Sequence, residues 1–415
     1  MPNQELRHLV LSLGLLLMIF SISASLAKTD PATGHIRIIC IGESYVPETR
    51  LPVLLRADPR IRYQPIPANW YESTFQSVGG GKEDALKFIR QYMPRTYDRL
   101  VQSNDVLLLS DFEVDIITEQ QFVWMERSIR EAGLGLGKYE MNYDTTYFAT
   151  FDRFLSSAIY KAVPADLKSG ANLPKPLEGI YAVDIPSLGG PHPMLDLPEM
   201  RKYNILGSGT YGYEIPRRGS TVIARFIPND QDAMIIWEYG EGRSLTCLPG
   251  LDKIKAGAIA DWPYIVDFWI NQMWYLADLE IPEDVQLVHR LRSDSLTYVN
   301  ERSMATAVIE FVEKFGAPTD KLYDRLDEVD GIKRESDSLY MEQRFEDSLA
   351  KLEEAYEELG SLAKESVEVK DRALFWIYMV EWLAVSGTCV LTGVIVWTLM
   401  VRRRLYHEVD ITRAR

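Results

Sequence analysis

The sequence is poor in the residues that build metal centres and disulfide-rich folds. It has three cysteines and five histidines in 415 residues, and their spacing matches no common metal site. Cys389 lies inside a long apolar run, whereas Cys40 and Cys247 each lie in a short strand-like run. Free buried cysteines are common. We therefore predict no metal and no cofactor, and we favour free thiols over a Cys40–Cys247 disulfide.

Concentrated positive charge is absent from most of the chain. The formal net charge is −15, whereas a protein that binds nucleic acid normally carries a basic face. The exception is the arginine run Arg402–Arg404 near the C-terminus. The composition therefore predicts no nucleic-acid partner.

The N-terminal segment has the pattern of a secretory signal. A short polar stretch with Arg7 precedes an apolar run, and small residues stand at Ser25 and Ala27. This pattern suits signal peptidase. We predict that residues 1–27 are a cleaved signal peptide; the alternative is an uncleaved anchor.

A second apolar segment predicts a transmembrane helix over residues 373–401. Its central stretch, Trp382–Val401, has 20 residues without charge, enough to span roughly 30 Å of hydrocarbon as a helix. Arg402–Arg404 follow directly, and the positive-inside rule puts a cytoplasmic tail at residues 402–415. We expect a single-pass protein of the cell membrane, anchored in the lipid bilayer with its N-terminal body extracytoplasmic.

The pattern over residues 33–280 is typical of an α/β domain. Buried apolar runs such as HIRIICIG and NDVLLLSDF alternate with amphipathic helices, which predicts a doubly wound, mostly parallel sheet. Thr118 is a predicted helix N-cap. The later runs STVIARFI, AMIIWEYG and RSLTCLPG follow one another across turns, so we expect a mixed or antiparallel extension, closed by an aromatic helix in Asp261–Leu279.

Residues 281–370 predict a helical stalk. One apolar stripe has the spacing of a helix–helix seam; its members are Leu349, Leu352, Tyr356, Leu359 and Leu362. Such a narrow stripe needs a partner helix, either in Leu287–Phe315 or Leu322–Tyr340 of the same chain or in a second molecule. We favour the same chain, because Gly316–Pro318 and Gly331 offer bends, and a homo-oligomer through the stalk is the alternative.

The glycine-rich stretch GLGLGK at residues 133–138 fits neither common phosphate-binding loop. A Walker loop needs a glycine where Ala132 stands and a Ser or Thr where Tyr139 stands. A dinucleotide fingerprint lies between a strand and the following helix, whereas these glycines follow a helix and enter a strand. We interpret them as positions of close helix–strand packing.

The segment NDVLLLSDFEVDIITEQQFVWMERSIREAGLGLGKYEMN resembles the class I glutamine amidotransferase-like fold. It is similar to the noncatalytic type in membrane-anchored prokaryotic proteins. Three further segments resemble that family in the same order: GPHPMLDLP, WEYGEGRSLTCLPG and DWPYIVDFWINQMWYLA. The resemblance covers roughly Ile36–Leu279.

The residues that carry catalysis in active members are missing here. Those members place a cysteine nucleophile in the turn after the strand and activate it with a later His-x-Glu pair. The corresponding turn, Gly137–Glu140, has no cysteine or serine, and none of the five histidines is followed by a glutamate at that spacing. The resemblance therefore implies a noncatalytic domain that acts in binding or assembly at the cell envelope, with a membrane or envelope protein as its partner.

An extracytoplasmic hydrolase acting on envelope glycans is the alternative. Its candidate acids and bases are Glu43, Asp111 and Glu140, which follow predicted strands, and ligands bind at the carboxyl ends of strands in such sheets. The candidate ligand-binding residues are Tyr139, Tyr143 and His192.

Overall fold

A computed structural model describes residues 29–30, 33–42, 51–68, 82–110, 112–139, 148–168, 183–184, 191–200, 213–226, 231–247 and 262–413. The chain forms two compact units. The α/β unit comprises Met1–Leu296 together with Tyr340–Phe345. The helical unit comprises Thr297–Leu339 and Glu346–Arg415.

The α/β unit contains an eight-stranded sheet. Its strands are β1 (Ile36–Gly42), β2 (Ile61–Pro67), β3 (Val106–Ser110), β4 (Gly135–Lys138), β6 (Val183–Asp184), β8 (Thr221–Phe226), β9 (Gln231–Tyr239) and β10 (Gly242–Cys247), in the order β2-β1-β3-β4-β10-β9-β8-β6. A separate two-stranded sheet pairs β5 (Ala165–Lys168) with β7 (Tyr213–Pro216).

The pairing is parallel on one side of β10 and antiparallel on the other. Strands β2, β1, β3, β4 and β10 run parallel, whereas β10, β9, β8 and β6 pair antiparallel. The predicted α/β class with a mostly parallel sheet and a mixed extension is therefore confirmed. The small β5–β7 sheet was not predicted, because its strands are only four residues long.

Helices connect the strands. They are α1 (Leu51–Leu55), α2 (Lys82–Tyr92), α3 (Tyr97–Ser103), α4 (Glu119–Ala132), α5 (Phe148–Ser156) and α6 (Ile265–Leu276). Thr118 caps α4 as predicted: its hydroxyl accepts from the Gln121 amide, and the Gln121 side chain accepts from the Thr118 amide. This reciprocal capping box satisfies two backbone donors at the helix start. The helix ends at Gly133, whose φ of 76° suits glycine.

The sheet is covered by helices on both faces. One face, with Leu107, Leu109 and Leu136, packs against residues of α2, α3 and α4. On the other face, α6 approaches β4 so closely that a Cβ at Gly135 would lie 2.2 Å from the Leu276 carbonyl oxygen. A Cβ at Gly137 would lie 2.7 Å from Leu108 Cδ2. A Cβ at Gly137 would also lie 3.1 Å from Leu276 Cδ1, so Gly135 and Gly137 allow the predicted close helix–strand packing, whereas Gly133 ends α4.

Three long helices follow: α7 (Val285–Glu313), α8 (Asp320–Met341) and α9 (Phe345–Arg413). The predicted bend at Gly316–Pro318 separates α7 from α8, with Gly316 at a φ of 75°. The bend predicted at Gly331 is wrong, because α8 continues through it. The second break comes instead before α9, where Gln343 has a φ of 61°.

The predicted leucine stripe lies inside the helical unit. Leu349, Leu352, Leu359 and Leu362 are all buried. The Tyr356 hydroxyl donates to Glu301 of α7 over 2.7 Å. The predicted packing within one chain is therefore confirmed for this stripe, whereas a homo-oligomer through other stalk surfaces stays a prediction.

The remainder of α9 is a candidate membrane span. The helix is 69 residues long, and no residue of its most apolar stretch is buried inside the protein. Large side chains from Phe375 to Val401 are exposed. By length and composition, this helix is able to cross a membrane. The predicted span 373–401 lies within it, without a break from the stalk.

Candidate functional site

The α/β unit has an open pocket of about 1000 Å³. Its polar lining consists of His192, Asp196, Glu238, Arg243, Tyr275, Asp278, Glu280 and Glu283. Carboxylates thus outnumber cationic groups, so the pocket favours a ligand that is cationic or rich in hydrogen-bond donors. Among the described residues that line it there is no serine, threonine, cysteine or lysine.

His192 is the predicted ligand-binding residue that lies in this pocket. It precedes the 3₁₀ turn Pro193–Leu195, and its Nδ1 accepts a hydrogen bond from the Met194 amide over 3.3 Å. Its ring meets the edge of Tyr275, with 5.5 Å between ring centroids. Burial, and then the nearby charge of Arg243, lower the His192 pKa below its usual value. The imidazole is therefore neutral at physiological pH.

Arg243 and Tyr275 line the pocket beside His192. The Arg243 guanidinium pairs with Asp278 at 2.5 Å and donates to the Tyr275 carbonyl oxygen at 3.3 Å. It also lies 5.1 Å from the centroid of the Tyr275 ring, a cation–π distance. Burial raises the pKa of Tyr275 to about 12. Its phenol therefore stays protonated at neutral pH, when it is able to donate a hydrogen bond.

The pocket lies at the amino ends of the parallel strands. Arg243 is the second residue of β10, and Asp278 lies just beyond the end of α6, next to Leu276, which contacts Gly135 at the start of β4. Because β4 and β10 are parallel, their amino ends lie together at the same end of the sheet. The other candidates were predicted at the opposite end, where the parallel strands have their carboxyl ends.

Most of the candidates predicted at the carboxyl ends of the strands lie outside the described residues. These are Glu43, Asp111, Glu140 and Tyr143. Tyr139 is described and is fully buried, with its hydroxyl donating to Gln272 Oε1 over 3.1 Å. Its ring lies against Trp269 and fills the space beside Gly137. Tyr139 is therefore a core residue in this fold, which corrects its assignment as a ligand-binding residue.

The two strand cysteines are free and buried. Burial raises the pKa of the Cys40 thiol to about 12, so this thiol is protonated and unreactive at neutral pH. The preference for free thiols over a Cys40–Cys247 disulfide is confirmed. Among the described residues, no group of three or more His, Cys, Asp or Glu side chains is arranged to hold a metal ion.

A buried ion pair joins β4 to the small β5–β7 sheet, and the sequence did not predict it. Lys138 Nζ lies 2.6 Å from Glu214 Oε1, and both side chains are completely buried. Thr246 donates its hydroxyl to the same carboxylate at 2.7 Å. Lys138 stands out in the sequence because it directly follows the glycines. The ion pair could not be predicted from it, because its partner lies on β7, a strand that was not predicted.

A second buried network surrounds Arg292 of α7, within the α/β unit. Its guanidinium donates to Asp267 Oδ1 and to Asn271 Oδ1, each at 2.9 Å. Asp58 lies 3.5 Å away and accepts from the Tyr340 hydroxyl at 2.9 Å. Burial acts to lower the pKa of Arg292, but Tyr340, Asp267 and Asp58 together raise it above its usual value.

His289 and Trp274 extend this network. His289 Nδ1 lies 2.6 Å from Asp267 Oδ2, and Trp274 donates its indole N–H to Asp58 over 2.8 Å. The hydrogen bonds satisfy the charges that folding removes from water. Their geometry joins α6, α7 and the α8–α9 corner, and a network enclosed in this way serves cohesion rather than ligand binding.

No protein-family model matches the chain, and no curated protein matches it either. Solved structures with partial similarity include two cytoplasmic proteins of Salmonella typhimurium, STM3548 and, from strain LT2, STM1381. Each is 14% identical and aligns over 58% of this chain and 99% of its own, with TM-scores of 0.42 and 0.39. The exo-beta-1,4-mannosidase Op5Man5 from Opitutaceae bacterium strain TAV5 is 11% identical over 60% of this chain and 36% of its own, with a TM-score of 0.30. Similarity at this level assigns neither a family nor a function.

Proposed function

We propose that the protein is a single-pass membrane protein whose α/β unit acts by binding a partner at the cell envelope. The observation that carries the proposal is the structure of α9, a helix of 69 residues. It continues from a buried leucine stripe into an apolar segment whose side chains are not buried by the rest of the protein. A soluble protein would bury that segment. The bilayer is the environment that satisfies it.

The orientation follows from charge and from the N-terminal pattern. Arg402–Arg404 flank the apolar segment on one side, and such clusters remain in the cytoplasm. The signal-like residues 1–27 support export of the body. We therefore propose that the α/β unit is extracytoplasmic and that residues 402–415 are cytoplasmic.

The binding role is supported by the chemistry of the residues. The α/β unit resembles an amidotransferase-like domain in its sequence motifs, but its turn after β4 lacks the nucleophile, and Tyr139 there is a core residue. The pocket with His192 instead offers several carboxylates, one imidazole and a protonated phenol. This set suits a cationic group, such as the basic side chains of an envelope protein. The hydrolase alternative through Glu43, Asp111 and Glu140 stays a prediction.

Direct binding tests this proposal. The full chain in mild detergent is titrated with an arginine-rich peptide and, in parallel, with a glutamate-rich peptide of equal length. The basic peptide is expected to bind, and the Asp196→Asn/Glu238→Gln variant to bind it at least about tenfold more weakly. A Glu310→Gln variant on α7 is the control. Equal binding of both peptides, or equal loss in the control, contradicts the pocket assignment.

A further inference from the structure

Two exposed aromatic side chains lie at the C-terminal end of α7, in the helical unit. Phe311 and Phe315 are 41% and 45% exposed, and their rings meet edge to face with centroids 4.8 Å apart. They lie where α7 ends and the turn at Gly316 begins. We call Phe311, Phe315 and this turn the hairpin tip.

The contacts within the helical unit fix where the hairpin tip lies along α9. Helix α8 runs antiparallel to α9, since Ser336 contacts Ser348 while Arg325 contacts Glu365. It also runs antiparallel to α7, since Asp330 accepts from Arg302 while Tyr323 donates to Glu313. Helices α7 and α9 therefore run in the same direction.

The axial position follows from the contact between Glu301 and Tyr356. Counting along the two helices from this contact, Phe311 and Phe315 lie roughly level with residues 366 and 370 of α9. Phe375, the first of the uncovered aromatic residues of the span, is 61% exposed. At 1.5 Å per residue it lies only about 8 Å beyond the level of Phe315.

We propose that the hairpin tip contacts the lipid interface of the membrane that α9 crosses. Aromatic side chains partition into this region of the bilayer. Val367 of α9, at the level of the tip, is a further exposed apolar side chain. Lys314 and Lys321 are exposed on either side of the turn, where they are able to meet lipid phosphates.

The size of the patch favours lipid over a second copy of the chain. Two half-exposed phenylalanines offer at most a few hundred Å², whereas a stable protein interface needs about 1,000 Å² or more. A lipid contact needs less area, because the adjoining span holds the tip beside the membrane at high effective concentration. The inference rests on the proposed function, since it requires α9 in the bilayer.

A fluorescent label tests the contact. Cys389→Ser removes the exposed thiol, and Cys40 and Cys247 are buried, so an environment-sensitive dye reacts with one introduced cysteine. The test variant is Phe315→Cys. The matched control is Met304→Cys, also exposed on α7 but eleven residues, or about 16 Å, farther from the membrane. Both labelled full chains are reconstituted in phosphatidylcholine–phosphatidylglycerol vesicles.

The inference predicts that aqueous iodide quenches the dye at residue 315 at least about twofold less than the dye at residue 304. Brominated lipid is expected to quench only the dye at residue 315. Equal iodide quenching in chains that float with the vesicles overturns the contact while leaving the anchor intact. Shielding of residue 315 that appears in detergent and grows with protein concentration overturns it in favour of a second copy. Failure of the chain to float with the vesicles overturns the proposed function itself, and the lipid contact with it.

Discussion

Arg292 Nη1 lies 2.9 Å from Asp267 Oδ1, and both side chains are only 2% exposed. This contact joins α7 to α6 inside the α/β unit. The predicted stalk, residues 281–370, therefore shares its first helix with the α/β unit, which extends to Leu296.

Replacing Arg292 by methionine is expected to destabilise the α/β unit by about 3–5 kcal/mol, because the buried carboxylates of Asp267 and Asp58 both lose their guanidinium partner. Urea unfolding of the full chain in detergent measures this change. The control is Arg290→Met on the same helix, whose side chain is 59% exposed and should change stability by less than about 1 kcal/mol. Similar effects of the two substitutions would show that the network does not hold the unit together.

Substituting Gly135 by alanine is expected to cost several kcal/mol, because its Cβ would clash with the Leu276 backbone. Gly331→Ala is the control, since this glycine lies within α8 and its nearest neighbour is 3.8 Å away. There alanine should stabilise the helix by about 0.5–1 kcal/mol. Thermal melts of the two variants should shift in opposite directions, and two shifts of the same sign would contradict the packing explanation.

Patterns formed by residues close together in the sequence predicted much of the fold. The alternation of buried runs and amphipathic helices gave the parallel strands, and Thr118 with Gln121 marked the start of α4 because a capping box is a local hydrogen-bond motif. The spacing of the leucine stripe likewise predicted that its leucines are buried. The mistaken bend at Gly331 has a simple cause: one glycine in a long helix costs only about 1 kcal/mol, which tertiary packing offsets.

Long-range pairs could not be predicted in the same way. Lys138 and Glu214 are 76 residues apart, and Arg292 and Asp58 are 234 residues apart. Each residue alone looks like an ordinary surface charge, and only the tertiary fold brings the partners together. His192 was predicted as a ligand-binding residue, and ligands were expected at the carboxyl ends of the strands. Its pocket lies instead at the amino ends of the parallel strands, because the end of α6 and the start of β10 enclose it.

Aspartate at both Leu352 and Leu359 should unfold the helical unit, because each substitution buries a charge and removes apolar contact, at about 3–5 kcal/mol per site. Helical circular dichroism and limited proteolysis of the full chain measure the loss. Light scattering should show an unchanged particle mass. Ser361→Asp, at an exposed position of the same helix, is the control. A well-folded Leu352→Asp/Leu359→Asp chain of half the wild-type mass would mean that the stripe joins two molecules.

His192 should make the α/β unit less stable in mild acid. Its pKa is lowered in the folded state, so the unfolded chain takes up the proton first, and the His192 contribution is lost as the pH falls below about 6.5. Compared with His192→Gln, the wild type should lose more stability between neutral pH and pH about 5. Arg243→Gln should raise the His192 pKa, as measured by NMR, but burial should keep it below the usual value. A His192 pKa at or above the usual value in the wild type is incompatible with this description.

Alkaline extraction of native membranes tests most directly whether α9 anchors the protein. The wild-type chain is expected to stay with the membranes. Leu391→Arg/Val394→Arg places two charges in the middle of the span at a cost of about 2.5–3.5 kcal/mol each, and should release the chain into the soluble fraction. Met304→Arg/Ala307→Arg, on the exposed side of α7, should remain bound like the wild type. Release of the wild-type chain, or firm retention of the Leu391→Arg/Val394→Arg chain, would contradict the membrane anchor.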